Sequence, residues 1–202
     1  MYRIILASES PRRKEIMDQM GIPFETMASH VAEVVEEKEP AAMVQALAAL
    51  KTKDIAMKLG DSKDRETETI IIGADTMVFY KDNALGKPKD EEDAVRMLQM
   101  LSGDEHEVYT GVSIIINYLK KPSVTISFAV STKVCVQSLT TGQIADYVAT
   151  GEPMDKAGAY AIQGKFGIHI KEIRGDYYNI VGFPIAKIYE TLLEHGINLL
   201  KL

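Results

Sequence analysis

The chain has 202 residues, of which 46% are hydrophobic and 26% are charged, and its formal net charge is −6. This length and composition predict one globular domain over 1–202. The negative charge argues against a nucleic-acid-binding surface, because no basic stripe is available to neutralise a phosphate backbone. The apolar runs are too short for a membrane span, and the one cysteine, Cys135, excludes an internal disulfide and a cysteine-based zinc site. No signal peptide is visible, so we expect a cytoplasmic protein.

Hydrophobic periodicity and turn residues predict a series of strands and helices along the chain. The predicted strands are 3–8, 24–28, 69–79, 108–117, 125–137 and 166–173. The predicted helices are 11–20, 40–59, 90–101, 140–149 and 184–195. Turns are expected at 31–38 and 81–83, with a polar connection at 60–68 that should tolerate insertions. This mixture of alternating elements and hairpins predicts an α/β fold with a mixed, strongly twisted sheet.

The first candidate site is the segment Ser-Glu-Ser-Pro-Arg-Arg at 8–13, where the first strand leads into the first helix. A helix N-terminus has unpaired N–H groups and the positive end of the helix dipole, so it binds anions. Ser8 and Ser10 would add hydroxyl donors. Arg12 and Arg13 would add planar cationic groups that suit phosphate oxygens. The segment predicts a phosphate-binding site, and the alternative is an ordinary capped helix with two surface arginines.

The second candidate site follows three isoleucines at 70–72, which predict a buried strand. The strand leads into Gly-Ala and then Asp75 and Thr76. Ligands of open α/β sheets bind at strand ends, and a carboxylate there is suited to hold Mg²⁺ or to act as a general base. The alternative is that Asp75 caps the following turn.

Two polar, glycine-containing segments, 151–164 and 175–184, lack a clear helical or strand period and predict long loops. Long loops in compact domains are often functional, and the alternative is a pair of structural loops. His106 is open to two interpretations, acid–base chemistry or a structural role.

Six motifs, taken together and in order, resemble the Maf family of nucleoside triphosphate pyrophosphatases. They are SESPRR, GADT, GKP, LSG, GEPMDKAGAYAIQG and GDYYNIVGFP, and the matching segments extend from Ile4 to about Leu193. The resemblance implies an inosine-triphosphatase-like fold of the Maf type, with an elongated sheet, flanking helices and two lobes around a central cleft. It also implies hydrolysis of a nucleoside triphosphate between the α and β phosphates, with Mg²⁺ or Mn²⁺ as the divalent cation. We expect the protein to form a homodimer.

The resemblance assigns catalytic roles to Asp75, Glu33 and Lys87. Asp75 and Glu33 would be the metal ligands, and Asp75 is either the proton acceptor or the metal anchor. The substrate-binding candidates are Ser8, Ser10, Arg12, Arg13, Lys51, Lys53, Thr76 and Gln163, of which one of the pair Lys51 and Lys53 is expected to line the pocket.

Arg12, Thr76 and Gln163 match the pyrimidine-directed members of the family. This match predicts dTTP and UTP as substrates, with modified pyrimidine nucleotides as further candidates. The Gln163 amide offers both a donor and an acceptor to the imide edge of thymine or uracil. The alternatives are a pyrophosphatase for 7-methyl-GTP and a non-catalytic nucleotide-binding regulator of cell division. The candidate carboxylates favour catalysis, because a pure binding protein would not need them.

Overall fold

The computed structural model describes residues 2–60, 67–81 and 83–202. Its strands are β1 Tyr2–Leu6, β2 Glu25–Thr26, β3 Glu68–Tyr80, β4 Asn83–Leu85, β5 Glu105–Asn117, β6 Val124–Val136 and β7 Ile170–Arg174. Its α-helices are α1 Pro11–Gln19, α2 Pro40–Leu59, α3 Glu91–Leu101, α4 Thr141–Val148, α5 Tyr177–Val181 and α6 Ile185–Glu194. Short 3-10 helices cover Glu152–Asp155, Ala157–Ala159, Lys165–His169 and Leu199–Lys201.

The described strands form one mixed sheet in the order β2-β1-β3-β5-β6-β7, with β4 paired to β3. β1 runs parallel to β2 and β3, whereas β4 is antiparallel to β3 and β7 is antiparallel to β6. Ile4 pairs with Ile70, and both are buried, as continuous apolar runs in parallel strands predict. This mixed sheet with flanking helices confirms the predicted α/β class.

The chain divides into two compact units. Unit 1 contains 1–75, 110–129 and 182–202, and unit 2 contains 76–109 and 130–181. In unit 1, buried apolar side chains of β1, α2, β3 and β5 pack together, namely Ile5, Ala7, Ile55, Ile71 and Ile115. The predictions of a single domain and of a shared central cleft stay predictions.

Unit 2 has its own apolar core, to which α3 and α4 contribute. α3 is amphipathic, with Ala94, Met97, Leu98 and Leu101 buried, as the helical spacing predicts. α4 begins with a capping box in which Thr140 accepts from the Gln143 N–H and the Gln143 side chain accepts from the Thr140 N–H. The two helices hold the segment 151–169 against the sheet strands of this unit.

Most predicted elements lie within a few residues of the observed ones, and helix 40–59 has the same bounds. The predicted strand 166–173 is wrong at its start, because 165–169 is a 3-10 helix and β7 begins at Ile170. Gly167 explains the difference: glycine weakens a strand, and here its N–H donates to the carbonyl of Gly164. Parts of the predicted turns and connections, 61–66 and residue 82, lie outside the described residues.

The loop predicted over 175–184 contains the short helix α5. Asp176 initiates it, since its carboxylate accepts a hydrogen bond from the Tyr178 N–H at 2.8 Å. β4 is antiparallel to β3, with Tyr80 opposite Asn83, as the hairpin turn predicted at 81–83 requires, although no bounds were predicted for this three-residue strand. Across the described ranges, no helix is both long enough and apolar enough to cross a bilayer.

Candidate active site

The turn between β1 and α1 gathers Ser8, Ser10 and Arg13 in unit 1. Ser8 is buried directly after the strand, and Ser10 occupies the N-cap position of α1, with Pro11 in the first turn. The Ser8 Oγ accepts two hydrogen bonds, from the Ser10 N–H at 3.2 Å and from Arg13 Nη1 at 3.0 Å. Because a hydroxyl has two acceptor positions and one donor, Ser8 keeps its O–H to donate. This turn can therefore present a hydroxyl donor beside a guanidinium.

Arg13 is a buried cation that ties the turn to the segment after α5. Its Nε donates to the carbonyl of Gly182 at 2.8 Å, and its side chain is buried together with Ser8. Burial lowers the pKa of the guanidinium, whereas the negative charges of Asp75 and Glu33 raise it. The alternative of two surface arginines is wrong for Arg13, because its side chain is buried and donates to Ser8 and to the carbonyl of Gly182. Arg12, the next residue toward the N-terminus, is half-buried.

Asp75 is buried in the interior of β3, which continues to Tyr80. The sequence prediction put this carboxylate at a strand end, and the alternative made it the cap of a turn. The strand-end position and the turn cap are both wrong for Asp75, because β3 runs through Gly73 and Ala74 without ending. Asp75 is therefore held by a rigid element rather than by a loop.

Lys51 joins the two candidate carboxylates. Its Nζ lies 2.6 Å from Asp75 Oδ1 and 3.0 Å from Glu33 Oε1. The side chains of Lys51 and Asp75 are only 14% and 12% exposed, whereas that of Glu33 is 54% exposed. One ammonium thus brings a carboxylate of β3 together with a carboxylate from the segment between β2 and α2.

Close packing of α2 against the sheet positions Lys51. A Cβ at Gly73 would lie 2.7 Å from Thr52 Cγ2 and 3.0 Å from the carbonyl of Ala48, so only glycine allows this approach. The buried hydroxyls of Thr52 and Ser113 lie 2.8 Å apart and form a hydrogen bond between α2 and β5. Sequence reasoning missed these two residues, since single hydroxyls in apolar elements give no pattern. The glycine of the GADT motif was the available signal for the close approach.

The structure separates the two lysines that the sequence left as alternatives. Lys51 contacts both carboxylates, whereas Lys53 is exposed. Residues two apart on an α-helix point about 200° from each other around its axis, so only one of the pair can face the sheet.

The remaining candidates, Thr76, Lys87 and Gln163, belong to unit 2. Thr76 follows Asp75 within β3 and is half-buried. Lys87 and Gln163 are both exposed. The loop that carries Lys87 is tied to the segment before Gln163, because the Gly158 N–H donates to the Gly86 carbonyl at 3.0 Å. These two exposed side chains therefore stand on connected loops of one unit.

His106 has a structural environment in unit 2. It is 2% exposed, and its Nε2 lies 2.8 Å from the hydroxyl of Tyr160. Burial lowers its pKa to about 4, against the opposing effect of Glu105 and Asp104. A buried neutral imidazole bonded to a core tyrosine favours the structural interpretation over acid–base chemistry.

The two candidate metal ligands are carboxylates that contact the same lysine ammonium. In residues 2–60, 67–81 and 83–202, no group of three or more His, Cys, Asp or Glu side chains is arranged to hold a metal ion. Mg²⁺ is commonly bound by one or two carboxylates together with substrate phosphates and water. Asp75 and Glu33 fit that mode rather than a cage made by protein alone.

Residues 3–195 match the family model described as "Maf-like protein". The chain belongs to this Maf-like family. Its membership confirms the resemblance that the six motifs carried.

Curated relatives match the Maf-like chain over nearly its full length. A dTTP/UTP pyrophosphatase of Lachnoclostridium phytofermentans is 50% identical, covering 100% of this chain and 99% of the relative. Proteins of the same name from Agathobacter rectalis and a Geobacillus species are 45% and 48% identical, covering 98% and 97% of this chain and 100% of each relative. Among solved structures, the Staphylococcus aureus Ham1 protein is 14% identical with a TM-score of 0.44, covering 96% of this chain and 100% of that one.

Proposed function

We propose that this Maf-like protein hydrolyses dTTP and UTP to the nucleoside monophosphate and pyrophosphate. The observation that carries the proposal is the Lys51 ammonium held against Asp75 and Glu33, in the unit that also contains the Arg13–Ser8 pair. Phosphoryl transfer needs the polyanion held, the developing charge neutralised and a water aimed at phosphorus. The names of the curated relatives support the same reaction and the same substrates.

The phosphates are bound by the turn between β1 and α1. Ser8 donates its remaining O–H, and the N-terminus of α1 supplies its positive dipole end. Arg12 and Ser10 contribute a guanidinium and a hydroxyl from the same turn. Lys87 adds a second cation that neutralises charge on the leaving pyrophosphate.

The chemical step is attack of a water on the α-phosphorus. The bond from that phosphorus to the bridging oxygen breaks, pyrophosphate leaves with that oxygen, and the water loses a proton. Asp75 accepts this proton. Because Lys51 contacts Oδ1, the accepting oxygen is Oδ2. The ion pair fixes the carboxylate, so that it need not reorient during the reaction.

The alternative role of Asp75 is metal anchor, in which a divalent cation, Mg²⁺ or Mn²⁺, would be held by Asp75 and Glu33 together with phosphate oxygens. A carboxylate that ligates the cation is a poor proton acceptor, so Asp75 would serve in one of the two roles and not in both. When bound, the cation would supply charge neutralisation at the phosphates. Lys51 already balances the same two carboxylates, so it keeps them together before substrate enters.

Base recognition falls to Gln163, with Thr76 as a second determinant. A glutamine amide can donate to one carbonyl of the pyrimidine and accept from its N3–H. Cytosine presents an N4 amino donor and an N3 acceptor, the reverse of the thymine pattern, so dCTP would require the Gln163 amide to be turned around and is disfavoured when that amide is held in one orientation. The homodimer, the cytoplasmic location and the absence of nucleic-acid or membrane partners stay predictions.

The test is product analysis with dTTP, UTP, dCTP and 7-methyl-GTP in the presence of Mg²⁺ or Mn²⁺. We expect pyrophosphate and monophosphate from dTTP and UTP. Nucleoside diphosphate and orthophosphate as products would exclude the pyrophosphatase. A preference for 7-methyl-GTP would exclude the pyrimidine assignment, and binding without turnover would favour the nucleotide-binding regulator.

A further inference from the structure

The segment 161–165, here called the Gln163 segment, is fixed on both sides of Gln163 by two side chains of unit 2. The Ala161 N–H donates to the hydroxyl of Tyr147 at 3.3 Å. The Lys165 N–H donates to Glu152 Oε2 at 3.1 Å. Tyr147 and Glu152 are themselves joined, since the phenol donates to Glu152 Oε1 at 2.9 Å. Three hydrogen bonds therefore connect the backbone before Gln163 to the backbone after it, through Tyr147 and Glu152.

Gly164 fits directly against the Glu152 carboxylate. A Cβ at this position would collide with the carboxyl carbon and both oxygens of Glu152. The backbone of Gly164, with φ of −102° and ψ of −157°, is extended and accessible to other residues. Glycine therefore allows the Glu152 carboxylate to lie at this position, and a larger residue would displace that carboxylate.

Tyr147 is a rigid part of this arrangement. It belongs to α4, is 5% exposed and packs against Phe166 with ring centroids 4.9 Å apart. Burial raises the pKa of its phenol, and the hydrogen bond to Glu152 raises that pKa further. The phenol is therefore protonated and donates, while its oxygen accepts from Ala161. Glu152 lies at the start of a 3-10 helix that contacts α4.

We propose that Glu152 and Tyr147 are positioning residues for Gln163 and thereby set the base selectivity of the enzyme. The inference rests on the proposed role of Gln163 as the base-reading residue. An exposed glutamine on an unanchored loop would sample many orientations and would discriminate poorly between bases. Anchoring the backbone two residues before and two residues after Gln163 restricts its orientation without occupying its amide.

The primary test compares Glu152→Gln and Tyr147→Phe with the unmodified enzyme. Glutamine keeps one acceptor oxygen and no charge, so it can accept from the Lys165 N–H or from the Tyr147 O–H but not from both, and the set is weakened. Phenylalanine keeps the packing on Phe166 and loses both bonds of the phenol. We expect each variant to lower the kcat/KM ratio of dTTP over dCTP about fivefold to tenfold, through KM for dTTP, with kcat within about twofold. Glu172→Gln, an exposed carboxylate of β7, is the matched control and should leave the ratio unchanged.

Amide hydrogen exchange gives a readout that does not depend on activity. Loss of the anchors should raise the exchange rates of the Ala161 and Lys165 amides about tenfold, with exchange in β3 and β5 unchanged. Unchanged exchange at both amides in both variants would overturn the proposal. Because the two variants remove different atoms, Tyr147→Phe tests the inference even where Glu152→Gln fails to fold.

A double variant separates this inference from the proposed function. Glu152→Gln should lower the ratio in the native background and add nothing in a Gln163→Ala background, since both act through the same side chain. If Gln163→Ala changes the ratio but Glu152→Gln and Tyr147→Phe do not, the positioning role is wrong and the base-reading role stands. If Gln163→Ala leaves the ratio unchanged, both fail.

Gly164→Ala tests the fit of the carboxylate. It should lower the ratio at least about tenfold when Glu152 is present, and by much less in a Glu152→Ala background, where the new methyl group has space. An equal loss in the two backgrounds would contradict a specific contact between Gly164 and Glu152.

Discussion

Units 1 and 2 hold their candidate functional groups in opposite ways. In unit 1, Arg13 and Asp75 are buried charges on a helix and a strand, each bonded to a neighbouring side chain. In unit 2, Lys87 and Gln163 are exposed on loops. A buried charge is costly without a partner, so removal of the partners of Arg13 or Asp75 should lower stability as well as activity. Exposed side chains have no cost of charge burial and no buried partners that hold them in place. Other residues must therefore anchor the backbone that carries them.

This contrast has a functional consequence. Substitutions among the buried charges of unit 1 should change turnover and stability together. Substitutions of the exposed candidates in unit 2 should change selectivity or binding while stability stays nearly constant, because surface changes typically alter the free energy of unfolding by less than about 0.5 kcal/mol. The predictions below test this division, beginning with the largest expected effect.

Asp75→Asn should lower kcat at least about a hundredfold, the scale of losing a general base. Asparagine keeps the shape of the side chain but cannot accept a proton at neutral pH. The measurement is steady-state hydrolysis of dTTP, with circular dichroism to check the fold. Glu190→Gln, an exposed carboxylate of α6 paired with Lys187, is the control and should retain full turnover. Near-normal turnover of Asp75→Asn with normal metal dependence would mean that the site is misassigned.

Lys51→Met and Lys53→Met should differ sharply. Methionine keeps most of the length of the lysine side chain and removes its charge. At position 51 this leaves the buried Asp75 without its ion-pair partner, so we expect kcat/KM to fall about tenfold or more and the free energy of unfolding to fall by about 2 kcal/mol. At position 53, kcat/KM and the free energy of unfolding should both remain close to native values, since that side chain is exposed. Similar losses in the two variants, measured by urea unfolding and dTTP hydrolysis, would refute the choice of Lys51.

Gln163→Ala and Arg12→Ala should separate base reading from phosphate binding. Removal of the amide should reduce the preference for dTTP over dCTP by about 1–3 kcal/mol per lost polar contact, with stability unchanged. Loss of Arg12 should weaken every triphosphate to a similar extent, because phosphate contacts carry no information about the base. The ratio of kcat/KM values for dTTP over dCTP and GTP in each variant is the measurement. The opposite pattern would show that the two roles are assigned backwards, and Thr76 becomes the candidate if neither ratio changes.

The sequence predicted the family and the mixed sheet, because these depend on local patterns and ordered motifs, whereas the roles of the candidate site residues stay predictions. It could not choose between Lys51 and Lys53, since that choice depends on which face of α2 packs on Gly73. It placed Asp75 at a strand end because Gly-Ala usually marks the end of a strand. Here the glycine instead allows α2 to pack closely on β3, and the strand continues. The sequence could not identify Glu152 and Tyr147 as anchors, since their partners are backbone N–H groups, which give no sequence pattern.

His106 is a buried titratable side chain of unit 2, and we expect it to affect stability alone. Its pKa is about 4 in the folded protein, below the ordinary value of 6.5, because burial disfavours the imidazolium. Between these two values the unfolded chain binds more protons than the folded one, so the free energy of unfolding must fall as the pH is lowered from 6.5 toward 4. The contribution of His106 between pH 7 and pH 5 is about 1–2 kcal/mol.

His106→Gln should remove this contribution while its amide retains a hydrogen bond to Tyr160. We therefore expect the variant to be less stable than the native protein at pH 7 but to lose less stability on going to pH 5, in urea unfolding at the two pH values. His30→Gln, at an exposed position, is the control and should follow the native protein. dTTP hydrolysis at pH 7 should be unchanged in both variants, because His106 lies in the core and contacts none of the candidate catalytic groups among the described residues. A His106→Gln variant that folds normally but loses turnover would instead assign the imidazole to the reaction, and unit 2 would then contribute chemistry as well as recognition.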